Sequence, residues 1–243
     1  MVPGDVVLLP SLGRPAADFS DLVHRLESHG YTTHPMEPPP TVPPGVNLHD
    51  VADDLVALLG DEGVTTFHII GHAFGNRLAR VVTSDFPDQV ASLTLLAAGG
   101  YVPGRADAME SLVACFDTSL PQAERLRHVG RAFFSPGHDP SVWATGWMPA
   151  VAAWQAEALA ATSEEDWWDA VAPRVLVIQG IEDAVAPPEN GRRYVSDHKD
   201  VAQLVEIRNA GHALIVEQPE LVGESVVSFL LAVDGATAPP SSV

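Results

Sequence analysis

The sequence predicts an α/β fold, a mostly parallel doubly wound sheet, on three observations. Short runs rich in Val, Leu and Ile recur along the chain. Stretches with helical apolar spacing alternate with them, and that alternation generates parallel pairing through crossover connections. The runs are apolar almost throughout rather than at every second residue, as strands are when helices cover both faces of a parallel sheet.

In chain order, "DVVLLP" (Asp5–Pro10) is the first strand. A helix over Ala17–His29 places Phe19, Leu22, Val23 and Leu26 on one face. A weaker strand pattern covers Tyr31–Met36. "EPPPTVPPG" (Glu37–Gly45) is a stiff loop, because proline lacks the N–H that a ladder requires. A helix over Leu48–Leu59 buries Val51, Leu55, Leu58 and Leu59, and the strand "TFHII" (Thr66–Ile70) follows. A helix over Phe74–Phe86 with Leu78, Val81 and Val82 leads to the strand "SLTLLAA" (Ser92–Ala98). Tyr101–Ala172 shows no convincing strand and holds all five tryptophans, Trp143, Trp147, Trp154, Trp167 and Trp168. It reads as a helical insertion over one edge of the sheet. Strands "RVLVIQG" (Arg174–Gly180) and "QLVEI" (Gln203–Ile207) and a helix over Pro219–Leu231 complete the pattern, the helix burying Val222, Val226, Phe229 and Leu230. The expected organisation is a core of residues 1–100 and 173–233, a helical lid of residues 101–172, and a disordered tail, "DGATAPPSSV", of residues 234–243.

Composition narrows the partners. With 243 residues and 46% hydrophobic content the chain suits one sizeable domain. Thirty-two acidic against 13 basic residues give a net charge of −19, which repels nucleic acid and anionic lipid alike. A small-molecule substrate is the expected partner, and a homodimer is left open. One cysteine, Cys115, excludes an intrachain disulfide. "MVPGDVVLLP" has no basic region of the signal-peptide kind, and no stretch approaches the ~20 apolar residues of a membrane span. A cytoplasmic location is therefore expected. No residue cluster has metal-ligand spacing, and neither a metal nor another cofactor is expected.

Chemistry-bearing residues fall at three strand ends. Gly71-His72-Ala73-Phe74-Gly75 follows the Thr66–Ile70 strand and opens a helix. Glycines suit a sharp strand-to-helix turn, and the free N–H groups of a helix start suit a developing oxyanion. Asp183, in "QGIEDAVAPP", follows the Arg174–Gly180 strand, and His212, in "NAGHALIVEQPE", follows the Gln203–Ile207 strand. Carboxyl ends of parallel strands are where such sheets carry their sites. Either residue alone has a plain alternative, a helix cap or a loop histidine. Elbow, acid and histidine in this order form a catalytic-type constellation in which Asp183 orients His212.

On these residues the chain resembles the α/β-hydrolase fold superfamily, from Val6 to Leu231. The resemblance implies that "LLPSLGRPAADF" (Leu8–Phe19) is an oxyanion loop, with Pro10 and Ser11 where His-Gly is usual. The Leu12 and Phe74 amides would then be the oxyanion donors. It also implies a lid roofing the site, with Phe133, Phe134, Trp143, Trp147 and Trp154 offering apolar walls and Trp143 and Trp147 contacting substrate; for any single one of them, packing of lid on core is the plainer reading, and for the group some must face the cavity. A small, neutral, largely apolar molecule is expected there. The sequence departs from the family in three respects. Its first two strands are expected to be absent, the loop at Glu37–Gly45 is proline-rich, and the elbow serine is Ala73.

An alanine cannot attack a carbonyl, so three readings of Ala73 stay open. The serine has been replaced in an ordinary serine hydrolase. Or alanine is native, and His212 acts as general base on substrate or water, permitting a lyase, cyclase, oxygenase or direct hydrolysis. Or another hydroxyl stands in, with Ser11 the candidate; the plain reading of Ser11 is a small residue where Gly is usual. Gly-His-Ala-Phe-Gly-Asn with Pro-Ser-Leu-Gly-Arg is similar to some relatives of the fold, which favours the latter two readings equally with the first. The expected activity is hydrolysis of an ester, lactone or related carbonyl bond. The alternatives are a cofactor-independent lyase and a non-catalytic ligand-binding protein.

Overall fold

The computed structural model describes residues 4–235. Six strands form one wholly parallel sheet in the order β2-β1-β3-β4-β5-β6: β1 (Asp5–Leu9), β2 (Thr32–Pro35), β3 (Phe67–His72), β4 (Val90–Leu96), β5 (Val175–Gly180) and β6 (Ala202–Ile207). The edge strand β2 is the short one, and it runs into Pro35 and the proline-rich loop.

Period-two alternation sends neighbouring strand residues to opposite faces. Val7, Leu9 and Ile69 join one core with α2 (Leu48–Asp61) and α3 (Phe74–Asp85). Val6, Leu8 and Ile70 join the other with α1 (Ser20–Ser28) and α9 (Pro219–Val233). Asn47 caps α2 in a reciprocal box with Asp50. Residues 101–172 hold α4 (Ala106–Ala114), α5 (Gln122–Phe133) and α6 (Pro149–Ala160), with no strand among them. Their own apolar cluster joins Cys115, Val129, Phe133 and Trp143 to Ala213 of the core.

Two elements were not foreseen. α7 (Glu189–Asp197) is short and polar, with only Asn190, Gly191 and Tyr194 buried, and α8 (Leu214–Glu217) is a single turn. The expected loose tail also starts too early. Asp234 accepts a hydrogen bond from the Tyr31 hydroxyl at 2.9 Å and lies 3.3 Å from His68 Nε2, so two core side chains hold it. Residues 236–243 of that tail lie outside the described residues. Among the described residues, no helix is long and apolar enough to cross a membrane.

Strand order reverses between β1 and β3, which makes a crevice at their carboxyl ends. Register pairs Leu9 with Gly71, so Ser11 and Ala73 each lie two residues beyond a paired position, side by side above the crevice. Close packing of α3 on β1 permits this. A Cβ on Gly75 would lie 2.0 Å from the Leu9 carbonyl oxygen, and one on Gly71 would lie 2.3 Å from the Gly75 carbonyl oxygen. Both contacts are with backbone, which cannot rotate away. Gly75→Ala is accordingly expected to cost at least about 3 kcal/mol. Thermal denaturation should show a Tm lower by roughly 10 °C.

Candidate active site

The elbow is strained by design. Ala73 holds φ 52° and ψ −105°, outside the regions comfortable for an L-residue, and its N–H donates to the Leu96 carbonyl at 3.0 Å. Asn76 is fully buried; its side-chain amide donates to the carbonyls of Leu96 and Ala97 and ties α3 to the end of β4. Phe74 is the first residue of α3, so its N–H has no acceptor within the helix. Ser11, Leu12, Ala73, Phe74 and His212 line one cavity of about 490 Å³.

Asp183 and His212 meet as the sequence anticipates. His212 Nδ1 donates to Asp183 Oδ2 at 2.9 Å, and both residues are buried. Asp183 Oδ1 accepts from the backbone N–H groups of Val185 (2.9 Å) and Ala186 (2.7 Å), which fixes the carboxylate and leaves Oδ2 to the imidazole. With Nδ1 donating, Nε2 of a neutral His212 carries the lone pair that accepts a proton. Ser11 is the hydroxyl-bearing side chain among the residues lining this cavity. Cys115, the chain's one thiol, is buried away from the cavity, and burial pushes its pKa up to about 12.

Trp143 and Trp147 require a correction, because neither lines the cavity. They stack on Arg14, whose guanidinium carbon lies 4.6 and 4.7 Å from their ring centroids. Arg14 also grips Asp18 through two hydrogen bonds of 2.7 Å and donates to the Thr145 carbonyl. Gly13 N–H donates to Gln155 Oε1 at 2.7 Å. The two tryptophans thus clamp the Ser11–Arg14 loop from behind, while Phe133 and Phe116 present the aromatic wall. Trp154 lines a second hollow of about 340 Å³ under the proline-rich loop and donates to the Pro39 carbonyl.

Two further residues inside the quoted motifs act as positioning residues without a role assigned to them by the sequence. Glu217 accepts from the N–H groups of Gly211 (2.7 Å) and Ser135 (2.6 Å), anchoring the His212 loop. His72, fully buried, donates from Nε2 to the His212 carbonyl at 2.8 Å. Burial, reinforced by His212, pushes the His72 pKa down from 6.5 to about 3. Folded His72 therefore stays neutral where the unfolded chain takes up a proton. Its contribution is complete above pH 6.5 and is lost as pH falls toward 3. Acidification from pH 6.5 to 5 should remove about 2 kcal/mol of stability. Urea melts of the native protein and His72→Gln, which keeps a donor but does not titrate, should differ in pH slope by that amount.

A parallel sheet with an elbow, a buried acid–histidine pair and free amides over one cavity defines the architecture of a hydrolase of the α/β class. A model of the "Alpha/beta hydrolase family" matches residues 6–224, and the chain belongs to that family. It is 27% identical to "Putative carbamate hydrolase RutD" of Caulobacter vibrioides, over 78% of this chain and 74% of the relative. It is 26% identical to a protein of the same name from Variovorax paradoxus, over 97% and 95%. Among solved structures, "Putative non-heme bromoperoxidase BpoC" of Mycobacterium tuberculosis superposes with a TM-score of 0.80 at 22% identity, covering 95% of this chain and 92% of that one. An esterase from Exiguobacterium antarcticum gives 0.74 at 19%, covering 93% and 91%.

Proposed function

We propose that the protein hydrolyses an ester, lactone or related carbonyl bond of a small molecule, with Ser11 as nucleophile and the Asp183–His212 pair as base. The observation that carries this reading is the 2.9 Å hydrogen bond joining Asp183 to His212 beside a cavity whose lining hydroxyl is Ser11. His212 Nε2 takes the Ser11 proton as Oγ bonds the carbonyl carbon. The oxyanion is met by the Leu12 and Phe74 amides, and His212 returns the proton to the departing alkoxide. Water, deprotonated by His212, then releases the acid and restores Ser11. Asp183 stabilises the imidazolium in both halves. Residues 101–172 serve as the lid. Leu112, Phe116, Phe133 and Leu159 from that segment wall the cavity with apolar surface, which suits a small organic substrate. The names of the relatives, a carbamate hydrolase and an esterase, support carbonyl hydrolysis.

A panel of small esters, lactones and carbamates tests this. Ser11→Ala should lower kcat/KM at least about a hundredfold, with KM little changed. Ala73 itself favours a second reading, in which His212 draws a proton directly from substrate or water. That reading predicts activity lost in His212→Ala and intact in Ser11→Ala.

A further inference from the structure

Arg77 stands on the turn of α3 that follows Ala73, and it is the one cationic side chain among the residues lining the catalytic cavity, His212 aside. No carboxylate side chain lines that cavity. Glu164 is a carboxylate whose charge favours the Arg77 cation, yet among the described residues Arg77 forms neither an ion pair nor a hydrogen bond. Its guanidinium is held over the Trp167 ring, 5.6 Å from the centroid. A guanidinium nitrogen lies 3.3 Å from where a Cβ on Gly99 would stand, and Gly99, also in the lining, leaves that approach open. Burial draws the Arg77 pKa below the usual guanidinium value.

Arg80, a turn further along α3, makes the contrast. Its three guanidinium nitrogens are buried without partners, and it is enclosed by Trp168 and Tyr194 at 5.2 and 4.7 Å, outside the cavity lining. Arg80 is caged by aromatic rings, whereas Arg77 reaches the space where substrate is expected. Arg77 is half-buried, so water meets its guanidinium until an anion displaces it, and its planar fork matches a carboxylate at two points.

We propose that Arg77 is the carboxylate-binding residue of this cavity, so that the substrate is a small ester, lactone or related compound bearing a second, ionised acid group. The proposal rests on the hydrolase reading above and replaces the expectation of a neutral substrate. With a net charge of −19 the surface does not gather anions, so selection for the acid group falls to this one side chain.

The test compares mono-4-nitrophenyl adipate with its neutral methyl-capped counterpart. The native protein should favour the anionic ester at least about tenfold in kcat/KM. Arg77→Met should lower that ratio roughly thirtyfold, and Arg77→Lys should recover part of it. Calorimetric binding of monomethyl adipate and dimethyl adipate to His212→Ala gives a readout that needs no turnover. Tighter binding of the monoacid, lost in the His212→Ala/Arg77→Met double variant, supports the proposal. Equal affinity, or no binding of either compound, overturns it. Absence of turnover by the native protein overturns the hydrolase reading alone, since the binding arm still decides Arg77. Turnover with the same ratio in native protein and Arg77→Met overturns the role of Arg77 alone.

Discussion

Replacing His212 by alanine should reduce kcat/KM on every accepted ester by at least about a thousandfold while the fold persists. In the proposed mechanism the imidazole moves the nucleophile's proton: its Nδ1 is committed to Asp183 at 2.9 Å, and His212 lines the cavity with Ser11. A positioned general base contributes about a hundred- to ten-thousandfold, and removing the base of a nucleophile–histidine unit costs more, because both members then fail. Folding should survive, because Asp183 keeps its two backbone donors, Val185 and Ala186, and the loop keeps its Glu217 anchor. Circular dichroism and kinetics on the same preparation separate the two effects.

The second large effect is a gain. Ala73→Ser in a Ser11→Ala background should restore ester turnover about a hundredfold or more. The backbone already adopts the strained elbow conformation, so serine brings no strain that alanine does not carry at φ 52°. Ala73 lines the same cavity as His212, so the introduced hydroxyl faces the base, with the Phe74 amide beside it. Kinetic comparison of the double variant with Ser11→Ala checks this. Failure of rescue would mean that the pair cannot activate a hydroxyl at the elbow.

Five strands were legible to within about two residues, because runs such as Val6–Leu9 and Val175–Ile178 are buried on both faces and must be apolar throughout. β2 was faint because an edge strand is half exposed and this one ends in proline. α7 was missed because its polar run buries little, with Tyr194 the one large core side chain it contributes. At the site, Asp183 and His212 stood out at strand ends, whereas Ser11 and the Leu12 and Phe74 amides rested on the family resemblance; Ser11, Leu12, Phe74 and His212 line one cavity. The tryptophans could not be placed. An aromatic residue in a helical segment looks the same whether it faces substrate or the rear of a loop, and Trp143 faces Arg14. His72, Glu217 and Arg77 left no signal in their spacing. Their roles arise from contacts that cross the fold, as in His72 to the carbonyl of His212.

In the proposed mechanism His212 activates the Ser11 hydroxyl over an elbow that lacks its own. Reaction of the native protein with a fluorophosphonate, followed by peptide mass spectrometry, tests it most directly. A single adduct is expected on Ser11, absent from His212→Ala. An unlabelled Ser11 in protein that still hydrolyses esters, or an adduct confined to a serine outside the cavity, would contradict it.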